Sequence, residues 1–192
     1  MSLKVAVIYG SVRSSRQGIK AAKFIRNKCD ERGWETTLLD PLELGIPLID
    51  KMYKEYDEEN TPEYLIEPAK VLQDSDGFIV VSGEYNHAAP PALLNLMNYF
   101  QKEYHWKPSA IVSYSAGPFG GVRAAMHLRS YLNELGTPSI PSILPISKVY
   151  SSIDENGKAV DESYNKRSIK FLDEFDWYLK AFKEARNNGT PY

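Results

Sequence analysis

Three serines and two arginines crowd the stretch "GSVRSSR", residues 10–16, directly after the apolar run "KVAVIY". The hydroxyls of Ser11, Ser14 and Ser15 and the guanidinium groups of Arg13 and Arg16 make a donor set suited to an anion. A helix starting here adds free backbone N–H groups and the positive end of its dipole. There is no GxxxxGK[ST] to cradle a triphosphate and no GxGxxG to let backbone approach a pyrophosphate. A hydroxyl-rich loop with side-chain cations fits a terminal monophosphate. The competing reading is a helix N-cap flanked by solvated arginines.

Two further loops share this placement after an apolar run. "GEYNH" (83–87) follows "GFIVVS", and "SAGPFGG" (115–121) follows "SAIVSY". Tyr85 offers a flat surface, and Asn86 and exposed amides offer hydrogen bonds to the edge of a heterocycle. The small residues of the third loop let something planar come close to the main chain. Each loop alone is also readable as a turn that uses Asn and Gly for backbone geometry. His87, His105 and His127 have no metal-ligand spacing, and there is no GxSxG elbow. No side chain stands out as a catalytic acid, base or nucleophile.

The elements that must position these loops alternate. Strands are expected at 4–9, 34–40, 77–82, 109–114 and, weakened by prolines, 141–147. Helices are expected at 16–32, 62–74, 91–102, 121–135 and 163–186. That alternation predicts an α/β fold: a flavodoxin-like three-layer sandwich around a five-stranded parallel sheet of order 2-1-3-4-5. Ligands of such sheets sit beyond the carboxyl ends of the strands, where the three loops fall. Residues 41–61 are too long for a simple connector and read as a lid or an interface arm.

Bulk properties exclude several functions. The 192 residues suit one domain, 1–192, and the net charge of −2 offers no basic surface for nucleic acid. One cysteine, Cys29, excludes an internal disulfide framework, and a buried or bystander thiol is its reading. No run approaches the ~18 apolar residues of a membrane span. A cytoplasmic protein with neither membrane nor nucleic acid as partner is expected.

Together, "GSVR" after the first strand, "EYN" followed by "PPALLN" after the third, and "GPFGGVRAA" after the fourth resemble the NADPH-dependent FMN reductase family. The resemblance implies a phosphate site at Ser11, Arg13, Arg16, Gln17 and Gly18. It implies contacts beside the isoalloxazine from Glu84, Tyr85, Asn86 and His87, and on the pyrimidine side from Ser115, Gly117, Gly120 and Gly121. The expected activity passes hydride from NADPH or NADH through FMN to a small-molecule acceptor: a quinone, free flavin, azo compound or metal oxyanion. The family's usual proline before the second-loop glutamate is Gly83 here, and its "LKNAID" reads Leu94 to Tyr99 without the lysine and aspartate. The alternatives are a flavodoxin-type electron carrier and a flavin-free binding module. Leu93, Leu94, Leu96, Met97, Tyr99 and Phe100 form an apolar surface wider than packing on a sheet requires, so a homodimer or larger homo-oligomer through this helix is expected.

Overall fold

The computed structural model describes residues 2–192. Five apolar runs become strands β1 (Lys4–Tyr9), β2 (Glu35–Leu39), β3 (Gly77–Ser82), β4 (Ser109–Tyr114) and β5 (Ser139–Ile146). All four pairings are parallel and the order is β2-β1-β3-β4-β5, as the alternation predicts. The crossovers carry α1 (Gly18–Asp30), α2 (Glu63–Asp74), α3 (Pro91–Asn98) and α4 (Val122–Glu134). A short α5 (Val149–Ser152) and a long α6 (Ser163–Asn187) follow β5.

The period of two along each strand divides the sheet's side chains between two cores. Val5, Val7 and Tyr9 of β1, with Ile79 and Val81 of β3, pack against α1, α5 and α6. Ala6 and Ile8, with Phe78 and Val80, pack against α2, α3 and α4. Every residue of β3 and β4 is buried, which explains why both read as mainly apolar with only small serines as polar members. The edge strand β5 carries Pro141 and Pro145, where an absent N–H removes no ladder bond to a further strand and discourages pairing with another chain. It begins at Ser139, two residues before the expected start, because Ser109 pairs with Ser139 across a local register shift.

Two expectations are corrected. The helix expected over 91–102 ends at Asn98, and the chain tightens through Tyr99 and Phe100 into a 3₁₀ turn at Lys102–Tyr104. Tyr99 and Phe100 thereby drop into the core at 1% and 0% exposure. The apolar excess on this helix is also accounted for within the chain. Ile46, Ile49, Tyr53 and Tyr56, from the segment read as a lid or interface arm, pack on the same core and cover α3. Asn95 pins that strap by accepting from the Ile49 N–H at 2.9 Å and donating to the Pro47 carbonyl at 2.6 Å. The Tyr53 N–H donates to the Tyr99 carbonyl at 2.7 Å. Only Leu94 of the six apolar residues is left half-buried.

Candidate functional site

The turn from β1 into α1 leaves its donors facing outward. Gln17, in the N-cap position of α1, makes no side-chain cap, so the orphan N–H groups of the first turn find no side-chain acceptor there. Ser11 is 3% exposed, and its hydroxyl lies 3.3 Å from that of Tyr85. The two arginines of this loop have different roles. Arg16 turns inward: its guanidinium donates to the Ser11 carbonyl at 3.0 Å, pairs with the buried carboxylate of Asp40, and lies 5.4 Å over the Tyr9 ring. Arg13 is exposed and pairs with no carboxylate among the described residues. One arginine braces the loop; the other is available to a ligand.

Loop 2 closes on itself. Tyr85 and Ala88 exchange backbone hydrogen bonds of 2.9 and 3.0 Å around Asn86 and His87, whose φ values are +50° and +66°. This is a two-residue hairpin turn, a geometry Asn tolerates well, and it leaves both side chains exposed. Glu84 points away from the turn. Its Oε2 accepts from the N–H groups of Arg123 and Ala124 at 3.0 and 3.1 Å, supplying the carboxylate cap that α4 lacks from its own N-cap residue. Glu84 thus ties loop 2 to loop 3, and the flat face this loop offers is that of Tyr85.

In loop 3, the Ser115 hydroxyl donates to the Gly117 carbonyl and accepts from the Gly120 N–H, each at 2.9 Å. Gly120 and Gly121 have φ of +65° and +73°, and a Cβ on Gly121 would fall 2.7 Å from the Tyr114 carbonyl. Their side-chain-free backbone serves the turn into α4. Gly117 differs, because a Cβ there would meet nothing within 4 Å. Its main chain borders open space.

The three loops enclose a cleft of about 150 Å³ lined by Ser11, Arg13, Ser15, Arg16, Gln17, Glu84, Tyr85 and Ser115 among others. Most of the expected first-loop residues meet there; Gly18 lies under it against Tyr114, and Asn86, His87, Gly117, Gly120 and Gly121 stand outside the lining. Tyr114, Ala116, Val149 and Tyr150 also line it and escaped the sequence reading. Tyr114 reads as the last residue of a buried strand, and residues 149–150 fall between the strand expected at 141–147 and the helix expected at 163–186. A larger hollow of about 330 Å³ lies against β5 and α6, beside Lys166, Arg167 and Lys170, and shares no residue with the loops.

The donor set suits FMN. An uncapped helix start beside Ser11 and Arg13 suits a phosphate, and Tyr85, lining the same cleft as Ser115 and Ala116 of loop 3, suits a flat ring. The buried hydroxyl of Tyr9, just under this cleft, makes no well-formed hydrogen bond among the described residues. Among the described residues no group of His, Cys, Asp or Glu is arranged to hold a metal, and no helix is long and apolar enough to cross a membrane.

Comparisons with known proteins bear on the family and the fold. A family model described as NADPH-dependent FMN reductase matches residues 3–151. The chain is 27% identical over 192 residues to a 2-hydroxy-1,4-benzoquinone reductase from a Burkholderia species, spanning 94% of this chain and 98% of the other. It is 29% identical over 164 residues to an NAD(P)H-dependent FMN reductase of Schizosaccharomyces pombe, spanning 78% of each. Among solved structures, the flavoenzyme NAD(P)H:(acceptor) oxidoreductase FerB from Paracoccus denitrificans is similar in fold. Its TM-score is 0.75 at 22% identity, over 94% of this chain and 98% of that one.

Proposed function

Since the chain belongs to the NADPH-dependent FMN reductase family, we propose that its acceptor is a small quinone and that the cleft between loops 1, 2 and 3 is where the reaction occurs. The protein is an FMN-dependent oxidoreductase that draws electrons from NAD(P)H. FMN, when bound, supplies the two-electron chemistry between nicotinamide and acceptor. The chain supplies binding and orientation. Ser11, Arg13, Gln17 and the start of α1 hold the phosphate, and Arg16 holds their loop in shape through Asp40. Tyr85 and the main chain around Gly117 flank the ring, with Glu84 fixing the distance between their loops. His87 stands exposed at the hairpin tip, where it meets incoming substrates and holds no proton for the reaction.

The observation that carries this reading is the uncapped start of α1 sharing one cleft with Tyr85 and loop 3. Quinone is favoured as the acceptor class because one of the similar proteins is named for a benzoquinone. A single cleft at the loops cannot hold two planar substrates on one ring face at once, so nicotinamide and acceptor bind in turn. Steady-state NAD(P)H oxidation by the FMN-loaded protein with a benzoquinone should give parallel double-reciprocal lines. Intersecting lines would reject binding in turn, and no turnover with any quinone would favour the electron-carrier reading.

The proposal treats residues 1–192 as one domain in the cytoplasm, with a lone buried cysteine suited to a reducing compartment. It includes a homodimer, supported by exposed apolar residues other than those of α3. Val12, Leu48 and Phe119 on connections and Tyr150 on α5, exposed by 47%, 85%, 62% and 59%, all follow the carboxyl ends of strands. A monomer mass by light scattering at micromolar concentration would remove that part of the proposal.

A further inference from the structure

Tyr114, the last residue of β4, forms the floor of the cleft. Its ring is wedged between the first residue of α1 and the first residue of loop 2. A Cβ on Gly18 would fall 1.9 Å from its Cζ and 2.2 Å from its Oη, and a Cβ on Gly83 would fall 2.9 Å from its Oη. The same wedge accounts for Gly83, since a proline there would drive its ring into Tyr114. Behind it, with ring centroids 6.4 Å apart, lies Tyr9, wholly buried, its hydroxyl near those of Tyr114 and Ser11 but without a well-formed hydrogen bond among the described residues. A buried hydroxyl without a partner is a cost that phenylalanine at position 9 would avoid while filling nearly the same space. Ser11 stands on the same side of the cleft with its own hydroxyl 3.3 Å from that of Tyr85. Four hydroxyls therefore gather beneath the start of α1, two of them on tyrosines that packing alone does not require.

Resting on the FMN reading above, we propose that Tyr114 donates its hydroxyl to the phosphate end of FMN and that Tyr9 is a positioning residue behind it. The phosphate end is favoured over the ring because the hydroxyl presses closer to the start of α1 than to loop 2. Burial raises both phenols above their ordinary pKa, so each remains a protonated donor through the physiological range. The pair extends the phosphate site from the loop into the end of the sheet.

Tyr114→Phe keeps the ring that Gly18 and Gly83 pack against and removes only the donor. Titrated with FMN and with riboflavin by flavin fluorescence, this variant should bind FMN about 10- to 100-fold more weakly, the scale of a hydrogen bond to a charged group. Riboflavin affinity should be unchanged. Tyr9→Phe should shift FMN in the same direction by a smaller factor, again sparing riboflavin, with the thermal midpoint of the apo-protein preserved. Inorganic phosphate alone should raise that midpoint in the wild type and do so less in Tyr114→Phe. Equal weakening of both flavins would place Tyr114 at the ribityl chain or ring and overturn the proposal. An unchanged FMN affinity in Tyr114→Phe would overturn it and leave the FMN reading intact, whereas a wild-type protein that binds neither flavin would reject both.

Discussion

The two ends of the sheet use the same side chains to opposite ends. At the amino ends of the strands, the buried carboxylate of Asp76 accepts from the Lys4 N–H at 3.0 Å, from Lys183 at 2.8 Å and from Arg186 at 3.3 Å. Arg186 also reaches the Trp106 carbonyl, and Lys107 donates to three carbonyls nearby. Here α6 is stitched to the base of the sheet by the pairs of Lys183 and Arg186 with Asp76. At the carboxyl ends, Arg13, the first turn of α1 and the hydroxyl of Tyr9 lack such partners. Cations answered within the chain hold the fold, and one left unanswered beside the cleft is the kind the proposed FMN site would use. Within the upper end, Arg16 belongs to the first kind and Arg13 to the second, three residues apart.

If that contrast is right, substitutions at the two ends should separate stability from flavin binding. Asp76→Ala strands two cations and an N–H at the base and should cost roughly 3 kcal/mol of stability by denaturant titration, the scale of breaking a buried ion pair. Its FMN affinity should match the wild type's. Arg13→Ala should do the reverse, weakening FMN by about 1.5–3 kcal/mol. It should leave riboflavin binding and the denaturation midpoint where they were. An Arg13 variant that is destabilised without losing FMN would collapse the distinction.

The framework was legible because its signals are redundant. "GFIVVS" and "SAIVSY" match β3 and β4 to the residue, since a strand buried on both faces carries an apolar centre with no charged position along it. The three loops could be found because each follows such a strand. Individual roles were harder to read. Arg13 and Arg16 look equivalent in sequence, and only the fold brings Asp40, at the end of β2, against one of them. Glu84 lines the cleft, and sequence gives no sign that its carboxylate also caps the start of α4. The apolar breadth of α3 suggested a partner outside the chain, when the partner is the strap some 40 residues earlier, joined by Asn95. Each miss is a contact between segments distant in sequence, which local pattern does not encode.

Glu84 offers a smaller, intermediate case, because it belongs to the upper end yet is fully answered. Glu84→Ala removes the cap of two α4 N–H groups and should cost about 1 kcal/mol of stability. With loops 2 and 3 no longer tied, FMN and riboflavin should weaken together, unlike the selective loss in Arg13→Ala. Selective loss of FMN alone would mean that Glu84 acts on the phosphate.

The smallest effect concerns the lower end and pH. Lys107 is 8% exposed, and its Nζ donates to the carbonyls of Leu72, Gln73 and Glu103 at 2.6, 2.8 and 3.1 Å. Burial, helped by the charge of Arg186 and opposed by Asp76, lowers its pKa from 10.5 to about 8. Between those values the unfolded chain keeps a proton that the folded chain has released. Unfolding therefore takes up a proton, and stability rises with pH across the window; on going down it is lost from 10.5 to about 8 and levels off below. Lys107→Met has no such group. The stability of the wild type relative to this variant should increase from pH 8 toward pH 10, while the ratio of their FMN affinities stays flat. A relative stability that falls over that range would mean the three carbonyls hold the ammonium more strongly than burial opposes it. A shifting FMN ratio would mean that the two ends of the sheet are coupled.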